Sequence, residues 1–237
     1  MGRRDDGRDR RVAHEEPENG SRASERLVSF SDAVVAIAIT LLAISLPVPS
    51  GDTLPVFWAS VSNDSGQYLA FLISFATIAG AWSQHHALFR YARGTDARMR
   101  ALHLAWLLMI ILIPFATKLL FSKGSGDLTV HALQWGFYAL LQVLGSAALL
   151  GMVRRLVSRE MLAPDTPQRE VDNVIAQSWG QMLGFGLSIP VFFITPDAWV
   201  LWIAIPLLIR GVGRLRRARD GDGDRHRHGP PALPENS

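Results

Sequence analysis

Hydrophobic and polar positions along this chain fall into long blocks, not into a residue-by-residue alternation. The first block runs from Arg26 to Pro47. Its charges are Arg26 and Asp32, and from Ala33 to Leu46 nothing is more polar than Thr40 and Ser45. Leu27 to Leu46 is long enough for an α-helix to cross a hydrocarbon core of roughly 30 Å at about 1.5 Å per residue. Pro47 and Pro49 end it, because proline cannot continue the helical hydrogen-bond ladder. After a polar linker, Ser62 to Gly66, a second segment runs from about Gln67 to Arg90. A third covers roughly 99–121 and stops at Gly124-Ser125-Gly126, a fourth runs from Leu128 to about Val157, and a fifth from about Arg169 to Ile194. Thr195 and Pro196, a capping residue followed by a first-turn proline, open a sixth that ends in the basic run after Arg210. The block lengths predict an all-α integral membrane protein with six transmembrane helices within residues 26–215.

Charge orders these segments independently of hydropathy. Of the 24 lysines and arginines, all but Lys118 and Lys123 lie in one set of places. These are residues 1–26, the connection holding Arg90, Arg93, Arg98 and Arg100, the connection holding Arg154, Arg155, Arg159 and Arg169, and the end from Arg210 onward. Basic residues mark the cytoplasmic side of a spanning protein. The alternation therefore predicts an even number of spans with both termini cytoplasmic. The mean hydropathy of +0.16 understates the apolar centre, because residues 1–25 and 216–237 are polar and of mixed charge and are expected to be disordered cytoplasmic tails. The pI near 9.8 is accounted for by orientation signals, so no nucleic-acid partner is expected.

A carboxylate inside a spanning helix is costly, so Asp32 needs a partner. Asp32 lies about 9 Å past Arg26 along an outward-running helix, and a six-residue separation does not bring the two side chains together. His85 and His86 on the second segment and His103 on the third lie at the same depth. The expectation is a hydrogen-bonded network of Arg26, Phe30, Ser31, Asp32, Trp82, His85, His86 and His103 that locks helices together, with the partner of Asp32 supplied by the second or third helix. On the fifth segment Gly180, Gly184 and Ser188 recur every fourth residue and favour close helix packing.

Enzyme chemistry leaves no trace in the sequence. There is no phosphate loop, HExxH pair, GxSxG elbow or dinucleotide glycine motif, and no cysteine. No catalytic residue, cofactor or resident metal site is expected, and His226 and His228 lack further ligands nearby. The TVGYG form of potassium filter is absent as well.

Arg26-x-x-x-Phe30-Ser31-Asp32-Ala33, followed by Ala36-Ile37 and Thr40-Leu41-Leu42, resembles the R-x-x-x-F-S-D signature of the transmembrane protein 175 potassium channels. Trp82-x-x-His85-His86-x-x-Phe89 is similar to that family's second-helix pattern, and Leu112 to Leu120 to its third-helix ending. His103 stands where relatives usually carry Asn. The resemblance implies a potassium-selective leak channel in the cell membrane, assembled as a homotetramer with the first helices around the axis. It further implies a hydrophobic constriction at Ile37, Leu41 and Ile44, with Thr40 contributing to selectivity and potassium ions in transit only. These four residues share one helical face, while Asp32 lies about 140° from Ile37 at 100° per residue, so it is expected to brace the helix from behind. A proton-coupled secondary transporter using Asp32 and the histidines is the alternative, against which stands the lack of a visible inverted repeat.

Overall fold

Residues whose apolar side chains recur without interruption form long helices in the computed structural model of the chain. It describes the backbone of residues 6–121 and 127–227 and the side chains of 25–121, 127–195 and 197–213. The helices are α1 (Asp6–Ile44), α2 (Leu54–Asn63), α3 (Ser65–Phe89), α4 (Ala97–Leu120), α5 (Leu128–Ser158), α6 (Gln168–Phe192) and α7 (Val200–Arg227). No strand occurs among the described residues. The backbone of 6–25 and 216–227, expected to be disordered tails, is helical here and continues α1 and α7, while the side chains of these tails, His226 and His228 included, lie almost wholly outside that description.

Helices α4, α5, α6 and α7 pack in succession, each on the next, and α1 packs against α4 and α3. The centre holds Trp106, Tyr138, Phe185 and Met152, all essentially inaccessible. Polar side chains sit there too. Ser74 on α3 shares hydrogen bonds with Thr117 of α4 at 2.7 Å and Tyr138 of α5 at 2.9 Å. Ser188 on α6 accepts from Trp202 of α7 at 2.8 Å and Trp135 of α5 at 3.3 Å. Outside, Leu72, Leu104, Phe115, Leu133 and Leu207 are exposed. Buried hydroxyl, imidazole and amide groups under an apolar exterior are the arrangement of a protein surrounded by hydrocarbon.

Three helical stretches are long and apolar enough to cross a membrane among the described residues: Glu25–Ile44, Ala97–Leu120 and Leu128–Ser158. Helix α3 has no Asp, Glu, Lys or Arg but carries Gln84, His85 and His86 near its end, α6 begins with Arg169, Glu170 and Asp172, and α7 runs into Arg210, which lowers their hydropathy. The connection after the first segment also differs from expectation. Instead of leading only through a polar linker, it contains α2, with Pro55 in its first turn and no buried residue. Its Leu54, Val56 and Trp58 point outward, so burial within the chain gives no reason for this helix.

Thr195 accepts from the Asp197 amide at 3.2 Å and caps a short 3₁₀ turn, Pro196–Trp199, that leads into α7. A β-carbon on Gly180 would lie 3.2 Å from Pro206 Cα, and one on Gly184 would lie 2.9 Å from the Leu201 carbonyl oxygen. The small-residue stripe therefore lets α7 approach α6 closely. At the arginine-rich end, the connections α3–α4 and α5–α6 are strapped together. The Arg93 amide donates to Met161 at 2.8 Å and the Ala163 amide to Tyr91 at 2.9 Å. Asp96 caps α4 by accepting from the Met99 amide at 2.7 Å and also accepts from Arg155 Nε at 2.9 Å. The Arg155 hydrogen bond, then that of the Met99 amide, holds the Asp96 carboxyl below its usual range.

Gly184→Ala should destabilise the fold by about 1–3 kcal/mol through overpacking against the Leu201 backbone. Gly136→Ala, at a position open around the added carbon, should not; thermal unfolding of both in detergent makes the comparison. Because the folded Asp96 pKa is depressed, its contribution is present above the unfolded carboxylate value near 3.9 and is lost as pH falls through the folded value. Asp96→Asn should lower the unfolding temperature at pH 7 and flatten its decline on acidification.

Candidate functional site

Helix α1 has two faces of nearly equal hydrophobicity, and packing tells them apart. Val35, Ala38 and Leu42 turn into the bundle and are 4%, 1% and 0% exposed. Ile37, Leu41 and Ile44 turn away from it and are 58%, 48% and 80% exposed. Thr40 lies on the same outward face, its hydroxyl donating to the Ile37 carbonyl at 2.8 Å. That satisfies the hydroxyl proton within the helix and leaves the oxygen lone pairs facing outward. Phe30, 53% exposed, and Arg26 continue this outward surface toward the arginine-rich end.

The inward face at the same end carries the polar network. Asp32 accepts from Trp82 Nε1 of α3 at 2.8 Å, so its hydrogen bond comes from the neighbouring helix. Ser31, fully buried, donates its hydroxyl proton to the Leu27 carbonyl at 2.8 Å. A serine has one such proton, so the contact between Ser31 Oγ and His103 Nε2, 2.5 Å, has the imidazole as donor. Neutral His103 then accepts at Nδ1, and His85 Nε2 lies 3.3 Å from it. Donation thus runs from α3 through α4 to α1: His85, His103, Ser31, Leu27. His85 is clamped between Phe89 and Trp106, with ring centroids 4.2 and 4.6 Å away, and its Nδ1 has no hydrogen-bond partner.

The expected group of eight residues is therefore divided. Ser31, His85 and His103 form one buried chain, and Asp32 and Trp82 form a separate pair. His86 lies tilted against Trp82, ring centroids 5.4 Å apart, but is exposed, while Arg26 and Phe30 lie on the outward face. Adjacent helix positions point about 100° apart, which is why His85 is buried and His86 is not. Sequence reasoning passed over Gln84, a buried amide whose Oε1 has no hydrogen-bond partner, because nothing in its spacing sets it apart from the other polar residues of α3. Among the described residues no group of three His, Asp or Glu side chains is arranged to hold a metal ion.

The helices that carry this network lie in a stretch that is similar to a known family. Residues 26–114 match the family described as endosomal/lysosomal potassium channel TMEM175. A potassium channel of Streptomyces collinus is 32% identical over 120 residues, covering 51% of this chain and 58% of that protein. One from Chamaesiphon minutus is 37% identical over 97 residues, covering 40% and 48%. The human endosomal/lysosomal proton channel TMEM175 is 26% identical over 205 residues, covering 82% of this chain and 39% of that protein. The chain thus spans about half the length of the curated relatives it matches. In fold, it resembles the crystal structure of a lysosomal potassium-selective channel TMEM175 homolog from Chamaesiphon minutus, with a TM-score of 0.63, 24% identity and coverage of 82% of this chain and 98% of that one. The TMEM175 match covers α3 entirely and most of α4, and includes the whole apolar stretch of α1, so both faces of α1 and the histidine chain lie inside it.

Ser31→Ala should leave the His103 donor without its acceptor in a dry site and cost about 1–3 kcal/mol. Ser83→Ala, which removes an exposed hydroxyl bonded to its own helix, is the control. Thermal unfolding in detergent should separate the two.

Proposed function

We propose that this chain is the subunit of a potassium-selective, leak-type cation channel that conducts along the outward face of α1. The observation that carries the reading is the exposure of Ile37, Leu41 and Ile44 on the side of α1 opposite to its packed face. Four copies around an axis, each presenting this stripe inward, would surround a narrow apolar passage with Thr40 as its polar contributor. Rings of apolar side chains close such a passage by expelling water, and widening the ring readmits it. The names and folds of the relatives support this reading, and so does the absence of any enzyme motif.

In the same reading residues 26–215 form a domain of six transmembrane helices, α1 and α3 through α7, flanked by cytoplasmic tails at 1–25 and 216–237. The arginine-rich connections place both termini in the cytoplasm of a cell whose plasma membrane holds the protein. Ser31, Asp32, Trp82, His85 and His103 anchor α1 to α3 and α4 and do not meet ions. Arg26, Phe30 and His86 surround that anchor at the cytoplasmic mouth. Asp32 and the histidines as a proton relay remain the rival arrangement, and a proton gradient is its test.

Potassium flux into proteoliposomes, compared with sodium and caesium, tests the function. Ile37→Asn should raise conductance and weaken discrimination among these ions. Unchanged currents would remove Ile37 from the constriction, and proton-driven uptake with no ionic current would favour the transporter.

A further inference from the structure

A groove of about 450 Å³ runs along α3 and is closed on its other side by α6 and α7. Its long wall is apolar, formed by Leu69, Leu72, Ile73 and Ala76 of α3 opposite Ile203 and Leu207 of α7. From Leu69 to Gln84 it follows α3 for about 22 Å at 1.5 Å per residue. Polarity is concentrated at the arginine-rich end, where Gln84, Gln177 and Arg210 line it. Arg210 Nη2 donates to Gln177 Oε1 at 2.7 Å, which orients the guanidinium and uses one of its five N–H donors. The Gln84 side chain belongs to a residue only 5% exposed, and its Oε1 has no hydrogen-bond partner. Mid-groove polar atoms are already used: Thr77 donates to its own helix and Gln181 accepts from Ser146.

We propose that this groove binds one phospholipid with an anionic, hydroxyl-bearing headgroup, an acyl chain lying along α3 and the headgroup seated between Arg210 and Gln84. The volume lies within the roughly 300–1,000 Å³ of ordinary ligand pockets. The phosphate accepts from the free guanidinium donors, and a headgroup hydroxyl donates to Gln84 Oε1 once that amide, covered in the unliganded chain, turns toward the groove, which satisfies an acceptor without a partner. A cationic mouth between helices on the basic side is the setting in which anionic headgroups bind. A second copy of this chain seated in the groove would cover the apolar wall but would leave no role for the charge and the amide at one end. The site is independent of whether the α1 face conducts.

The test uses the full chain in nanodiscs of equal phosphatidylglycerol and phosphatidylcholine, with retained lipid read by native mass spectrometry. The wild type should keep about one phosphatidylglycerol per chain in preference to phosphatidylcholine. Arg210→Gln should reduce that preference about five-fold, as expected for one basic group worth about 1 kcal/mol. Gly80→Phe should abolish retention of both lipids, because a side chain added there enters open space in the groove without a clash at its β-carbon. Undiminished preference in Arg210→Gln, or undiminished retention in Gly80→Phe, would overturn the proposal. The chain has no cysteine, so Leu207→Cys introduces a single thiol. Efficient crosslinking of that variant between copies in the membrane would overturn it in favour of a subunit contact.

Discussion

In a bundle surrounded by hydrocarbon, an apolar side chain gains little by turning inward, so helix positions depend on where polar atoms find partners. The contact that most of this structure depends on is the donation from His103 of α4 to Ser31 of α1. It fixes the rotation of α1, because Ser31 must face α4. Once it does, Val35, Ala38 and Leu42 follow it inward at helical spacing and Ile37, Leu41 and Ile44 are turned out. The pair of Asp32 and Trp82 holds the same rotation from α3. An apolar helix with no preferred face thereby acquires one.

The same logic recurs deeper in the bundle. Ser74 joins α3 to α4 and α5, and Ser188 joins α6 to α5 and α7, each through a hydroxyl small enough to sit between closely packed helices. Glycines at 180 and 184 complete the α6–α7 contact by removing the side chain altogether. At the arginine-rich end the strap of backbone hydrogen bonds and the Asp96–Arg155 pair tie the two connections together, so the helices that hold α1 are themselves held. The groove between α3 and α7 interrupts this close packing, and an unmatched amide and a partly used guanidinium line it.

Much of this was legible in the chain. Uninterrupted apolar runs marked the long helices, prolines and glycines marked several of their ends, and the R-x-x-x-F-S-D pattern lies at the start of the stretch that matches the TMEM175 family model. The candidate residues were gathered because they lie at one depth, which follows from counting residues at a constant rise, but Arg26, Phe30 and His86 stand outside the buried contacts. Its internal pairing was not legible, since Asp32 had several donors within the same depth and the choice of Trp82 depends on side-chain direction. Helix α2 was missed because ten residues with a proline near the start, bearing no buried face, leave no periodic signal.

The sequence by itself determined what is set by composition along a line: helix lengths, breaks, the distribution of arginines, and the cost of placing Asp32 in an apolar helix. Only the tertiary structure decided which face of α1 packs, that the histidine chain and the aspartate pair are separate, and that Gln84 and Arg210 line the same groove. The physical reason is that α1 is apolar all round, so its periodicity holds no information about rotation. That information resides in directional hydrogen bonds to residues on other helices, and these exist only once the helices have met.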